Sequence, residues 1–139
     1  MKKILIAAHG KFAEGIKSSA ELILGKQDNL YDINAYLDEI PLEEKLDDFF
    51  KSIDFEKDTL LVLTDVFGGS VNQKILGNYQ VNNMKLISGV NLPLLLELLM
   101  LNEEDVTEDR IRSIIDQSRE QVMLVNDILK QDVSDDFDL

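Results

Sequence analysis

An α/β architecture is expected for this chain: an open, mostly parallel sheet with helices on both faces. Three observations lead there. Short apolar runs alternate with helical patterns along the chain. The best of those runs are continuously aliphatic rather than alternating, as in strands covered on both faces. No internal repeat or flexible linker divides the 139 residues, a length that suits one domain and buries roughly two thirds of the unfolded surface.

The elements follow in order. Ile4–Ala8 is the first strand, stopped by His9-Gly10. Phe12–Leu24 reads as an amphipathic helix, with Phe12, Ile16, Ala20 and Ile23 or Leu24 at helical spacing and Gly25 placed as a stop. Leu30–Leu37 alternates like a half-buried strand, and Pro41 stands near the start of a helix running through Leu46, Phe49, Phe50 and Ile53. Thr59–Thr64 is the most strand-like run; the loop Asp65–Ser70 and a short helix from about Val71 to Tyr79 follow it. Lys85–Ser88 is a further strand, ending in Gly89-Val90-Asn91. Pro93 opens the apolar helix Leu94–Leu101, which must be buried on more than one side, inside the monomer or at a subunit interface. Thr107 can cap a long final helix with Glu108 and Asp109 in its first turn and a core face of Ile111, Ile114, Ile115, Val122, Val125 and Leu129. The last eight residues, Asp132 to Leu139, carry four Asp and read as a frayed, solvated tail, so the domain is set at residues 1–131.

The net charge of −13, with no basic stripe, makes nucleic acid and anionic membrane surfaces poor partners. It suits ordinary solubility, or steering toward a basic partner protein. The absence of Cys fits a reducing compartment. The apolar run after Met1-Lys2-Lys3 is too short for a signal-peptide core, and none approaches the ~20 residues of a membrane span. A cytoplasmic location is expected.

Three strands end in something unusual: His9-Gly10, Asp65 to Ser70, and Gly89-Val90-Asn91. A parallel sheet brings all three to one edge, where ligands bind in open α/β folds. The pair of glycines at 68 and 69 lets backbone N–H groups approach an anion, and Ser70 can cap the helix that follows. Taken singly, each feature has a plain structural explanation: a loop histidine, a turn aspartate, a glycine turn. If the first and third strands are neighbours, as in the flavodoxin-like order 2-1-3-4, then His9, Asp65 and the Gly68-Gly69-Ser70 amides face one crevice.

That set suits phosphoryl transfer. A free imidazole, with an ordinary pKa of about 6.5, is largely neutral at cytoplasmic pH and has a lone pair for phosphorus. A carboxylate accepting one ring N–H aims the other nitrogen. Amides and a hydroxyl bind phosphoryl oxygens through a loose in-line transition state. No metal is expected, because one His and scattered carboxylates give no ligand spacing, and no cofactor is expected.

Ile-Leu-Ile-Ala-Ala-His-Gly at 4–10, Thr-Asp-Val-Phe-Gly-Gly-Ser at 64–70 and Gly-Val-Asn-Leu-Pro at 89–93 together resemble the mannose-family EIIA domain of the bacterial phosphoenolpyruvate:sugar phosphotransferase system (PTS). The resemblance spans about residues 1–130. It implies that His9 is phosphorylated on the ring nitrogen remote from the backbone, that Asp65 bonds the other nitrogen, and that Gly68, Gly69 and Ser70 hold the phosphate. It implies phospho-HPr as donor and a cognate EIIB as acceptor, serving membrane EIIC and EIID components. No EIIB follows on this chain, so a separate subunit is expected. It further implies a homodimer in which a C-terminal strand is exchanged, although four Asp suit 132–139 better to an exposed tail. Val71 stands where many members have proline, a departure that bears on loop rigidity more than on activity.

Other readings fit less well. A signalling receiver domain needs acidic residues after the first strand, where Ala8-His9-Gly10 stands. Ala-Ala-His-Gly-Lys is neither a P-loop nor a dinucleotide turn. The nearest rival is a regulatory or dihydroxyacetone-kinase-type relative using the same histidine without direct sugar transport; its loop usually lacks the Gly-Gly-Ser pattern held here by 68–70.

Overall fold

The computed structural model describes residues 1–79 and 83–131. Four parallel strands, β1 (Lys2–His9), β2 (Leu30–Ala35), β3 (Thr59–Thr64) and β4 (Met84–Ser88), form one sheet in the order β2-β1-β3-β4. This is the expected flavodoxin-like order, with the reversal of strand order between β1 and β3. Between the strands run α1 (Phe12–Leu24), α2 (Leu42–Lys51) and α3 (Ser70–Asn78); after them come α4 (Leu92–Met100), a 3-10 turn, α5 (Glu108–Arg119) and α6 (Val125–Gln131).

Strand pleat sorts the core into two layers. Ile4, Ile6, Ala8, Leu61, Leu63 and Ile87 point to the face covered by α1, α4 and α5. Leu5, Ala7, Ile33, Leu60 and Val62 point to the other face, against Leu42 and Leu46 of α2 and Val71 and Ile75 of α3. β1 and β3 lie between other strands and are covered on both sides, which is why their sequences are apolar without interruption. Leu61 is fully buried in the first layer. Leu61→Ala is expected to cost about 2–5 kcal/mol through lost burial and the cavity left behind, read as a lower urea midpoint at unchanged slope.

Two lysine contacts close the amino-terminal edge of the sheet. Lys2 Nζ donates to the Leu98, Leu99 and Leu101 carbonyls at 2.6, 2.9 and 2.5 Å, satisfying the carboxyl end of α4. Lys3 Nζ lies 2.9 Å from Asp58 Oδ2, which also accepts from the Asp54 N–H at 3.1 Å. The Lys3 bond holds the Asp58 carboxyl below the usual carboxylate range. A depressed folded-state value stabilises above the unfolded pKa, and that stability fades as pH falls through the folded value. Asp58→Asn is therefore expected to lower the urea midpoint at neutral pH, with the gap to wild type closing as the medium is acidified below about pH 4. A gap that stays constant with pH would show that the charge of Asp58 is not the stabilising feature.

Some boundaries differ from expectation. β2 stops at Ala35 rather than Leu37, because Tyr36 has a left-handed backbone, φ 62°, which no strand accommodates. Pro41 is the residue before α2, and Ile53 lies past that helix, still buried. α4 begins at Leu92, with Asn91 Oδ1 accepting from the Leu94 N–H at 3.0 Å. Its Leu94, Leu95, Leu98 and Leu99 are buried inside the chain, while Met100 is exposed.

The single long final helix is two helices. Thr107 caps α5 as expected, through the Arg110 N–H at 3.2 Å, and Ile111 and Ile114 are buried. Val122, Val125 and Leu129 are exposed, not core. β4 is the last strand of the sheet, and past Ser118 no layer among the described residues remains to cover another apolar turn. The acidic tail expected at 132–139, and any strand exchanged from it, lie outside the described residues.

Candidate functional site

Strand register builds the site. His9 is paired with Ala35, and Ala7 with Thr64, so the ends of β1, β2 and β3 are nearly level. Asp65 follows Thr64 directly and so emerges beside His9. The two ends are pinned by backbone and buried side-chain bonds. The Gly10 N–H donates to the Ala35 carbonyl at 2.8 Å, and Thr64 Oγ1 donates to Asn72 Oδ1 at 3.1 Å, tying β3 to the first turn of α3.

Asp65 Oδ2 accepts twice from His9: from its backbone N–H at 3.0 Å and from ring Nδ1 at 2.8 Å. Oδ1 accepts from the Val66 N–H at 3.0 Å. Burial works against the charge on Asp65, but the bonds from His9 outweigh it and hold the carboxyl below its ordinary value. An ionised carboxylate only accepts, so Nδ1 must carry the proton and a neutral ring keeps its lone pair at Nε2. That nitrogen lies 3.4 Å from Ser70 Oγ, on a side chain 43% exposed.

The 68–70 turn is at the site, with roles redistributed. Gly68 has φ 78°, a left-handed value that only glycine adopts without strain. Gly69 packs on the imidazole: a Cβ there would stand 3.5 Å from His9 Cε1 and 3.3 Å from the Val66 carbonyl. Its N–H is used in the turn, donated to that carbonyl at 3.3 Å. The amides left for an anion are those of the first turn of α3, which have no intrahelical partner. Ser70 does not cap α3. It is the first helical residue after Gly69, and its hydroxyl turns to His9 and to the Tyr36 phenol, 2.8 Å away. Val71, in the place of the common proline, is fully buried in the first turn of α3.

Sequence reasoning missed Tyr36. Its ring centroid lies 5.6 Å from that of His9, tilted by 42°, and Lys74 Nζ sits 5.7 Å from the phenol centroid. Nothing in the local sequence marks it, since left-handed positions favour Gly, Asn or Asp. Gly89-Val90-Asn91 does not join the imidazole. The Gly89 and Val90 N–H groups donate to the Thr64 carbonyl at 2.9 and 3.1 Å, bracing β3. Around the site Phe12, Val66 and Phe67 are exposed. Among the described residues no group of three or more acidic or imidazole side chains could hold a metal ion, and no helix is long and apolar enough to cross a membrane.

Comparison with known proteins identifies the family. The EIIA-man family model, described as PTS system fructose IIA component, matches residues 3–115. The chain is 30% identical to the PTS fructose-specific EIIA component of Bacillus subtilis over 134 residues, covering 94% of this chain and 91% of that protein. It is 32% identical to the PTS mannose-specific EIIAB component of Escherichia coli, over 86% of this chain but 38% of that longer protein. Among solved structures, one from Klebsiella pneumoniae assigned to the phosphoenolpyruvate-dependent sugar phosphotransferase system has a TM-score of 0.85 at 34% identity, covering 92% of this chain and 93% of that one. The EIIA component from Streptococcus agalactiae has a TM-score of 0.71 at 32% identity, over 91% of this chain and 98% of that one. A family model matched over most of the chain, and relatives alike along nearly their whole length, leave one conclusion: the chain belongs to the EIIA-man family of PTS sugar-system IIA components.

Proposed function

We propose that the chain is a histidine phosphocarrier: phospho-HPr delivers a phosphoryl group to His9 Nε2, and His9 passes it to a cognate EIIB serving sugar uptake through EIIC and EIID. The single observation that carries this reading is the 2.8 Å contact between His9 Nδ1 and Asp65 Oδ2, which leaves the Nε2 lone pair outward beside Ser70. The P–N bond on the donor histidine breaks as the bond to Nε2 forms. The ring keeps its Nδ1 proton and becomes cationic, and the Asp65 carboxylate stabilises that charge at hydrogen-bond distance. Ser70 and the first amides of α3 bind the phosphoryl oxygens.

An exposed imidazole, with exposed Phe12, Val66 and Phe67 in the segments that follow β1 and β3, supports a protein donor and acceptor, since apolar side chains near a polar centre suit a docking protein surface. We place the domain at residues 1–131, in the cytoplasm, and as a homodimer. The exposed Val122, Leu124, Val125 and Leu129 favour self-association. The relatives named as fructose-specific and mannose-specific PTS components favour the sugar system over a dihydroxyacetone-kinase-type role.

The test is incubation with phosphoenolpyruvate, Enzyme I and HPr, followed by intact mass measurement. One acid-labile phosphoryl group per chain is expected, discharged when cognate EIIB is added. No mass shift in the presence of charged HPr would overturn the reading.

A further inference from the structure

Tyr36 is the one non-glycine residue, among those described, with a positive φ, 62°. A bulky side chain in that region is strained, and such strain persists where its surroundings hold it, often at functional sites. Its consequence is geometric. In the order β2-β1-β3-β4, the end of β1 lies between the ends of β2 and β3. Tyr36 follows β2 and Ser70 follows β3, yet their hydroxyls are 2.8 Å apart. The phenol therefore spans the end of β1, with its ring 5.6 Å from the imidazole. Lys74 Nζ stands 5.7 Å from the ring centroid and is itself held by Glu43 Oε1 at 2.6 Å. The arm is built from β2, α2 and α3, and it converges on Ser70.

Donor and acceptor bookkeeping fixes its direction. Asp65 accepts the Nδ1–H, so in the neutral ring Nε2 can only accept, and the single Ser70 proton points to it across 3.4 Å. Ser70 Oγ must then accept from Tyr36, whose phenol donates. Once Nε2 carries a phosphoryl group its lone pair is gone. The Ser70 proton is freed for a phosphoryl oxygen while Tyr36 still donates from behind. A bond from a polarised hydroxyl to an anionic oxygen is stronger than the neutral bond it replaces.

Resting on the phosphocarrier reading, we propose that Tyr36 is a positioning residue which, through Ser70, stabilises the phosphoryl group on His9 and sets the lifetime of the phosphohistidine. Lys74 and Glu43 hold its ring in place.

The test charges His9 without any protein donor. Potassium phosphoramidate transfers its phosphoryl group to an imidazole nitrogen, releasing ammonia. Decay of the charged protein at neutral pH is then followed by intact mass and phosphorus NMR. Tyr36→Phe keeps the ring and removes the hydroxyl that meets Ser70. It is expected to shorten the half-life about three- to tenfold, the worth of one hydrogen bond, and to shift the phosphorus resonance without changing the thermal midpoint. Ser70→Ala is expected to do the same, and the double variant no worse than Ser70→Ala alone, because Tyr36 acts through Ser70. A Tyr36→Phe half-life within about twofold of wild type, or losses that add in the double variant, would overturn the assignment. Failure of phospho-HPr to charge the wild-type protein would instead sink the phosphocarrier reading, while the half-lives after phosphoramidate still decide Tyr36.

Discussion

His9→Ala is expected to end phosphoryl acceptance outright, with no residual incorporation after incubation with phosphoenolpyruvate, Enzyme I and HPr. His9 is the only imidazole among 139 residues, so no second histidine can take its place. The fold should survive. The side chain is 43% exposed and belongs to neither core layer, and Asp65 keeps its bonds to the backbone N–H groups of residues 9 and 66. The cost of the lost Nδ1 bond is about 1 kcal/mol. Intact mass reads the first claim and a thermal melt the second. A phosphoryl group still attached to the variant would remove His9 from the mechanism, and a collapsed melt would call for His9→Gln as the control.

Asp65→Ala should slow charging by phospho-HPr roughly 10–100-fold, the size of effect seen when a carboxylate orienting a histidine is removed. Without an acceptor at Nδ1 the ring proton is free to sit on Nε2, which then has no lone pair for phosphorus. The cationic phosphohistidine also loses its counter-charge. Nitrogen NMR of the uncharged protein should show the share of the Nδ1–H tautomer falling in step with the single-turnover rate. The pH sign follows from the depressed Asp65 carboxyl: the orienting bond is present above the usual carboxylate range and is lost only as pH falls through its lowered value. A rate within about twofold of wild type, with the tautomer unchanged, would make Asp65 a turn residue and no more.

Much of this was legible along the chain because burial on two faces writes itself into composition. Ile4–Ala8 and Thr59–Thr64 are aliphatic without a break, and both proved to be central strands. Thr107 and the glycine turn at 68–69 also announced themselves through local chemistry. Where sequence reading went astray, the deciding contact was distant. Val122, Val125 and Leu129 have helical spacing, and periodicity reports a stripe without reporting whether anything covers it. Ser70 has the residue type of a cap, but it is the first residue of α3, after Gly69, and its hydroxyl faces the Tyr36 phenol and the imidazole.

The sequence by itself determined which chemistry is available: one imidazole, a carboxylate and a glycine-serine turn, each at the end of an apolar run. It also determined the order of strands and helices along the chain, since those signals are local. Only the tertiary structure decided how the groups are arranged. Parallel register placed Asp65 on Nδ1 and left Nε2 facing outward, a choice of nitrogen that no residue spacing encodes. Register also carried Tyr36, from a strand two places from β3, across β1 to Ser70. The reason is that a neutral imidazole has two equivalent-looking nitrogens and a hydroxyl can donate or accept. Their roles are set by which partner the packed sheet brings within about 3 Å.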